Sequence, residues 1–196
     1  MSKGRLEAFS DGVIAIIITI MVLEMKAPRG VDLDALGPVL PAFLSYVLSF
    51  LYVGIYWNNH HHIFHAVQRV SGMTLWANLH LLFWLSLIPF VTSWVGESQF
   101  ASWPVAAYGA VLLMCAIAWE IERRVLLGRH DPASALAKAM GEGRKEWVSL
   151  AFYVIAIGAA FINTMISSAL YLLVAAIWFV PDRRIERQLG GGRENS

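Results

Sequence analysis

Long apolar stretches separated by short polar segments make up most of this chain. They cover residues 7–26, 40–60, 74–95, 103–122, 147–163 and 165–180. A helix of roughly 20 apolar residues spans the hydrocarbon core of a bilayer and satisfies its own backbone hydrogen bonds there. The pattern therefore predicts an all-α integral membrane protein. Its six transmembrane helices form one domain over residues 1–182, followed by a basic, disordered tail over residues 183–196.

Turn-forming residues divide these stretches. Pro38 and Pro41 mark the start of the second span, and Pro89 lies inside the third, where it removes one helical hydrogen bond and predicts a kink. Asn163 and the following Thr164 separate the last two spans. The loop between the fourth and fifth spans has the pattern of a short amphipathic helix over residues 133–140.

Composition and charge support a membrane protein and give its orientation. Only 15% of the residues are charged, whereas soluble domains carry about 25%. If both termini are cytoplasmic, every Lys and Arg except Lys26 and Arg29 lies on the cytoplasmic side, which agrees with the positive-inside rule. A net charge of +1 gives no indication of a nucleic-acid partner. We therefore expect the lipid bilayer as the surroundings and cytoplasmic N- and C-termini.

A polar cluster opens the first span, in the sequence R-L-E-A-F-S-D that ends at Asp11. In the predicted topology, other polar residues share the depth of Asp11, because the second span ends and the third begins on the cytoplasmic side. They are Asn58, Asn59, His60, His61, His62, Asn78 and His80. A carboxylate within a membrane segment needs polar partners. The cluster is either a structural clasp that joins the first three helices or a proton relay.

The first span also carries a stripe at helical spacing. Ile16, Thr19, Ile20 and Leu23 follow the i, i+3, i+4, i+7 pattern of one helix face. Large aliphatic side chains can form a dewetting constriction, and a threonine hydroxyl can contact a passing ion. Because almost every neighbouring position is also apolar, contact with lipid or with other helices explains the same spacing.

The histidine-rich run at the end of the second span raises the possibility of a metal site. His61 and His65 stand at i, i+4, a spacing that can place both imidazoles on one ion. No H-E-x-x-H motif and no second acidic residue accompany them, so a catalytic metal is not predicted. The single cysteine, Cys115, adds no thiolate cluster. We expect neither an enzyme nor a bound cofactor.

The sequence R-L-E-A-F-S-D at the head of a transmembrane helix resembles the Arg-x-x-x-Phe-Ser-Asp signature of the endolysosomal potassium channel (transmembrane protein 175) family. The segments W-N-N-H-H-H and W-A-N-L-H, at the end of the second span and the start of the third, are also similar to that family. The chain has one set of six spans, as prokaryotic members do.

The resemblance implies a homotetrameric cation channel without a P-loop, in which the first helices surround a potassium-permeable pore. It assigns the hydrophobic constriction and selectivity to Ile16, Thr19 and Leu23, with Ile20 beside them. Without a carbonyl filter, we expect weak to moderate preference for K⁺ over Na⁺, with K⁺ passing near Thr19 as the permeant ion. The expected location is the plasma membrane of a prokaryote.

The resemblance also implies a structural polar network between the first three helices. Its expected members are Arg5, Phe9, Ser10, Asp11, Asn58, Trp76 and His80. Arg5 lies about 120° around the helix from Asp11, so it is expected to reach another helix, another subunit or lipid headgroups. The alternative function is a proton-coupled secondary transporter that uses Asp11 and the histidines.

Overall fold

The computed structural model describes residues 2–67, 70–128 and 143–179, and these residues form helices and no strands. A 3₁₀ helix over Leu33–Val39 precedes the second α-helix. The α-helices are α1 Lys3–Leu23, α2 Leu40–Ala66, α3 Gly72–Leu85, α4 Ile88–Glu97, α5 Ser102–Leu127, α6 Arg144–Ala159 and α7 Thr164–Phe179. The helix predicted over residues 133–140 and the tail predicted from residue 183 lie outside the described residues.

These helices confirm the all-α, six-span fold. α3 and α4 together make the third span, Gly72–Glu97, and four spans are long and apolar enough to cross a membrane by themselves. The last two, α6 and α7, have 16 residues each. A turn that ends at Asn163 separates them, as predicted, and the Asn163 side chain accepts a hydrogen bond from the Met165 backbone N–H.

The predicted interruption of the third span is present. α3 ends at Leu85, and α4 starts at Ile88 with Pro89 in its first turn. Proline is tolerated there because the first backbone N–H groups of a helix have no intrahelical partner. The Ser71 side chain begins α3 with a reciprocal capping box to Thr74, which satisfies two backbone donors at the cytoplasmic end of the span.

The described helix with the most buried residues, α5, forms the centre of the bundle. Leu112, Cys115 and Ala118 on this helix are fully buried. α5 packs against α3 and α4 on one side and against α6 and α7 on the other. α1 packs against α2, α3 and α4, so one of its faces is held by the bundle and α6 and α7 lie on the far side.

Hydrogen bonds between helices supplement the apolar core. Ser49 on α2 contacts the Thr92 hydroxyl on α4 at 2.6 Å and the Tyr108 hydroxyl on α5 at 3.0 Å. The Tyr52 hydroxyl donates to the Tyr171 carbonyl oxygen at 2.6 Å, and the Tyr171 hydroxyl donates to the Val105 carbonyl oxygen at 3.1 Å. Buried hydroxyls require such partners in a membrane bundle.

Close packing between α5 and α7 depends on Gly109. A Cβ atom at this position would overlap the Tyr171 hydroxyl and lie 2.9 Å from Cγ1 of Ile157. We predict that Gly109→Ala destabilises the protein by about 1–3 kcal/mol, because the added methyl displaces Tyr171 from its hydrogen bond. The measurement is the melting temperature of purified protein in detergent.

The matched control is Gly158→Ala on the exposed side of α6, where a Cβ would meet no described atom within 4 Å. Its melting temperature should equal or slightly exceed that of the wild type, since alanine favours a helix over glycine. Equal melting temperatures for the two variants would contradict the close contact at Gly109.

Candidate functional site

The first helix has one buried face. Its buried residues are spaced three or four positions apart, as on one side of an α-helix, and each is at most 3% exposed. They are Leu6, Ser10, Ile14, Ile17 and Met21. This face contacts α2, α3 and α4. The rotation of α1 about its axis is therefore fixed by its own subunit.

The predicted stripe lies on the opposite face of α1. Thr19 is two residues from both Ile17 and Met21, which places it about 200° around the helix from each. Ile16 is 58% exposed and Leu23 is 80% exposed. Ile16 and Ile20 also border an open groove of about 620 Å³ between α1 and α4. The subunit therefore leaves this face uncovered.

The Thr19 hydroxyl is oriented by its own helix. It donates a hydrogen bond to the Ile16 carbonyl oxygen at 2.9 Å. With its proton directed at the backbone, the side-chain oxygen keeps its lone pairs on the uncovered face. An oxygen in this arrangement can contact a cation.

A buried hydrogen-bonded chain joins α1, α3 and α2. The Asn78 side-chain amide donates to the Ser10 hydroxyl at 3.0 Å, and Ser10 donates to the Leu6 carbonyl oxygen at 2.9 Å. His60 Nε2 contacts the Asn78 carbonyl oxygen at 2.8 Å. Ser10, Asn78 and His60 are each at most 2% exposed. This chain joins the first three helices, but it does not include Asp11, on which the sequence prediction of a clasp or a proton relay is centred.

Asp11 lies outside this chain. It is exposed in the single subunit and accepts a hydrogen bond from Trp57 Nε1 at 3.0 Å. The Trp57 ring stacks on His61, with ring centroids 6.1 Å apart. Because Asp11 is one position beyond Ser10, it faces about 100° away from the buried chain. The carboxylate therefore ties α1 to α2 at the edge of the subunit.

The structure does not bring the other predicted network residues together within one subunit. Phe9 is 48% exposed and Trp76 is 75% exposed, and Arg5 and Asn58 are also exposed. His80 accepts a hydrogen bond from Trp84 Nε1 on its own helix at 3.0 Å. Asn78 bonds to Ser10 and His60 bonds to Asn78 instead, and the sequence could not choose His60 from a run of three histidines. Any joint role of these exposed residues remains a prediction.

No metal site forms among the described residues. His61 and His65 stack with ring centroids 6.4 Å apart. However, no group of three or more His, Cys, Asp or Glu side chains is close enough to hold an ion in residues 2–67, 70–128 and 143–179.

Comparison with known proteins identifies relatives over almost the whole chain. The family model described as endosomal/lysosomal potassium channel TMEM175 matches residues 5–89. A protein from Chryseobacterium sp. (strain P1-3), named as a potassium channel, is 56% identical over 96% of this chain and 98% of its own length. Another from Streptomyces collinus, also named as a potassium channel, is 32% identical over 88% of this chain and 89% of its own length.

A solved structure has the same fold. The crystal structure of a lysosomal potassium-selective channel TMEM175 homolog from Chamaesiphon minutus aligns with a TM-score of 0.75 and 27% sequence identity. The alignment covers 91% of this chain and 96% of that one.

The contribution of the buried chain can be measured with a matched pair of serine variants. Ser10 and Ser168 each donate to the carbonyl oxygen four residues earlier on their own helix, but Ser10 also bonds to Asn78 on another helix. We predict that Ser10→Ala lowers the free energy of unfolding by about 1–2 kcal/mol, because Asn78 loses a buried partner.

Ser168→Ala should lower the free energy of unfolding by much less, because it removes only the hydrogen bond within its own helix. The measurement is reversible unfolding in mixed detergent micelles. An equal loss in both variants would show that the bond between the helices contributes nothing.

Proposed function

The chain belongs to the TMEM175 family of endosomal/lysosomal potassium channels, and on that premise we propose that it forms a potassium channel whose pore is lined by α1. The family and the relatives named above are ion channels rather than enzymes. Two bacterial relatives are named as potassium channels. The permeant ion proposed here is therefore K⁺.

The observation that carries this proposal is the uncovered face of α1. The bundle buries one side of the helix, while Ile16, Thr19 and Leu23 are left exposed by the subunit. α1 also lies at one side of the bundle, opposite α6 and α7. A helix in this position can line a pathway between subunits.

A single helix cannot enclose a pore, so several copies must surround a common axis. Closed cyclic symmetry places the same face of each copy on that axis. We propose a homotetramer, in which four copies of α1 surround the pathway. In this arrangement Arg5, Phe9, Asn58 and Trp76, which the single subunit exposes, are available for contacts between subunits around Asp11.

The chemistry of the uncovered face suggests how ions pass. Rings of Ile16 and Leu23 would form hydrophobic constrictions that empty of water when narrow. Between them, the four Thr19 oxygens would form a polar layer that can contact a dehydrating cation. Such a ring replaces fewer water ligands than a carbonyl filter, so we propose weak to moderate selectivity for K⁺ over Na⁺. The host membrane proposed here is the bacterial plasma membrane.

Potassium flux into proteoliposomes tests this proposal. We predict that Ile16→Asn and Leu23→Asn raise potential-driven K⁺ flux, because a polar side chain removes the hydrophobic barrier at each ring. Wild-type flux should persist without a proton gradient, which a proton-coupled transporter would require. Cross-linking of the same samples should give a tetramer.

The matched control is Ile155→Asn on α6. Ile155 is 58% exposed, the same fraction as Ile16, but α6 lies on the far side of the bundle from α1. This variant should conduct as the wild type does. If Ile16→Asn and Leu23→Asn leave flux unchanged, or Ile155→Asn alters it equally, α1 does not contain the constriction.

A further inference from the structure

Glu122 on α5 is a buried acid for which neither the family comparison nor the proposed pore provides a role. It is 2% exposed, and neither carboxyl oxygen has a hydrogen-bond partner within the described part of the chain. Its neighbour in sequence, Glu120, behaves differently, since it accepts hydrogen bonds from Arg123 and Arg124 at 2.7 Å each. Among the described residues, only Glu122 has buried side-chain oxygens without a hydrogen-bond partner.

Two contacts place Glu122 in the layer of the buried hydrogen-bonded chain. Near the middle of the helices, the Trp119 ring of α5 meets the Tyr56 ring of α2 edge to face, with centroids 6.1 Å apart. Nearer the cytoplasm, Leu126 of α5 and Phe64 of α2 belong to one apolar cluster. The two helices therefore run in the same direction and in register.

Glu122 and His60 occupy the interval between these contacts. Glu122 follows Trp119 by three residues and precedes Leu126 by four, while His60 lies midway between Tyr56 and Phe64. Each therefore lies about one helical turn from both contacts. The layer thus holds two buried titratable side chains, one of which bonds through Asn78 to the first helix.

Within residues 2–67, 70–128 and 143–179, no cation pairs with the Glu122 carboxylate. α1 presents two acids near His60, Glu7 and Asp11, and α2 presents His61. α3 contributes the uncharged Asn78. On α5 and α6, Arg123 is already shared between Glu120 and Glu146. An ionised carboxylate without a cation or a hydrogen bond is very costly in such surroundings, so the neutral form is favoured.

We propose that Glu122 is a proton-binding site in the cytoplasmic half of the bundle, and that its bound proton maintains the neighbouring apolar cluster, which contains residues of α1, α2 and α5. The cluster that contains Leu126 and Phe64 also contains Leu6 of α1, one helical turn before Ser10. Loss of the proton would place a charge next to this cluster and loosen the cytoplasmic end of the first helix. Cytoplasmic alkalinisation would then act on α1.

The proton makes a defined contribution to the pH dependence of stability. An unfolded glutamate releases its proton above about pH 4.3, whereas the folded protein retains it on Glu122. Unfolding therefore releases a proton between that pH and the pH at which Glu122 ionises in the folded state. Stability from this group falls as pH rises through that interval.

The test compares the melting temperatures of the wild type, Glu122→Gln and Glu97→Gln between about pH 6 and pH 8. Glutamine keeps the shape of the side chain but cannot ionise. We expect the wild type to lose about 3–5 °C more per pH unit than Glu122→Gln while Glu122 remains protonated. Glu97→Gln, an exposed acid paired with Lys26, should follow the wild-type slope. Equal slopes for the wild type and Glu122→Gln would overturn the proposal.

Infrared spectroscopy gives a second measurement that does not depend on melting temperatures. At neutral pH, the C=O stretching band of a protonated carboxyl should be present and should shift on exchange into D₂O. In Glu122→Asp this band should move or disappear. A wild-type spectrum without a protonated carboxyl band, or a band unaffected by Glu122→Asp, would overturn the proposal.

The effect on ion flux rests on the proposed channel function, but the proton site does not. In proteoliposomes, K⁺ flux through the wild type should change as the pH on the cytoplasmic side rises, and Glu122→Gln should lose this dependence. If the melting and infrared results are as expected but no variant conducts K⁺, the channel function is refuted and the proton site is retained. If K⁺ flux is normal but the melting temperatures of the wild type and Glu122→Gln depend equally on pH, the proton site is refuted and the channel function is retained.

Discussion

The hydrogen-bonded chain from Ser10 through Asn78 to His60 determines how the first helix sits in the subunit. A polar side chain buried between membrane helices must find partners inside the protein, because the surrounding lipid offers none. The buried Asn78 amide has its partner on the first helix only when the Ser10 side of α1 faces α3. Rotating the helix by one residue would expose Ser10 and bury Asp11 without the Trp57 hydrogen bond. The chain therefore fixes the orientation of α1 as well as its position.

The functional surface follows from that orientation. Because Ser10, Ile17 and Met21 face the bundle, Thr19 necessarily faces away from it. The subunit alone therefore presents Ile16, Thr19 and Leu23 as an uncovered surface, and the proposed tetramer assembles this surface into a pore. Glu122 extends the same polar layer to α5. The end of α1 that the buried chain holds is thus also the end that a protonation change at Glu122 would affect.

Hydropathy and proline positions were sufficient to predict the six spans and the break before Pro89, because the bilayer sets both the length and the composition of its helices. Local spacing could not select the stripe on α1, since nearly every residue from Val13 to Leu23 is apolar. The resemblance to a channel family selected it instead. His60 could not be distinguished from His61 and His62, because which of three adjacent residues is buried depends on tertiary packing. Glu122 gave no signal in the sequence, since its burial without a hydrogen-bond partner among the described residues depends on tertiary packing.

Thiol accessibility along α1 tests most directly whether the face opposite the buried chain lines the ion pathway. The native Cys115 is fully buried, so the wild type serves as the unreactive control for a charged methanethiosulfonate reagent. Thr19→Cys and Met21→Cys place a thiol on opposite faces of the same helix, two residues apart. We predict that the reagent changes K⁺ flux through Thr19→Cys, and that it leaves flux through Met21→Cys and the wild type unaffected. Modification that alters flux through Met21→Cys but not through Thr19→Cys would contradict this prediction.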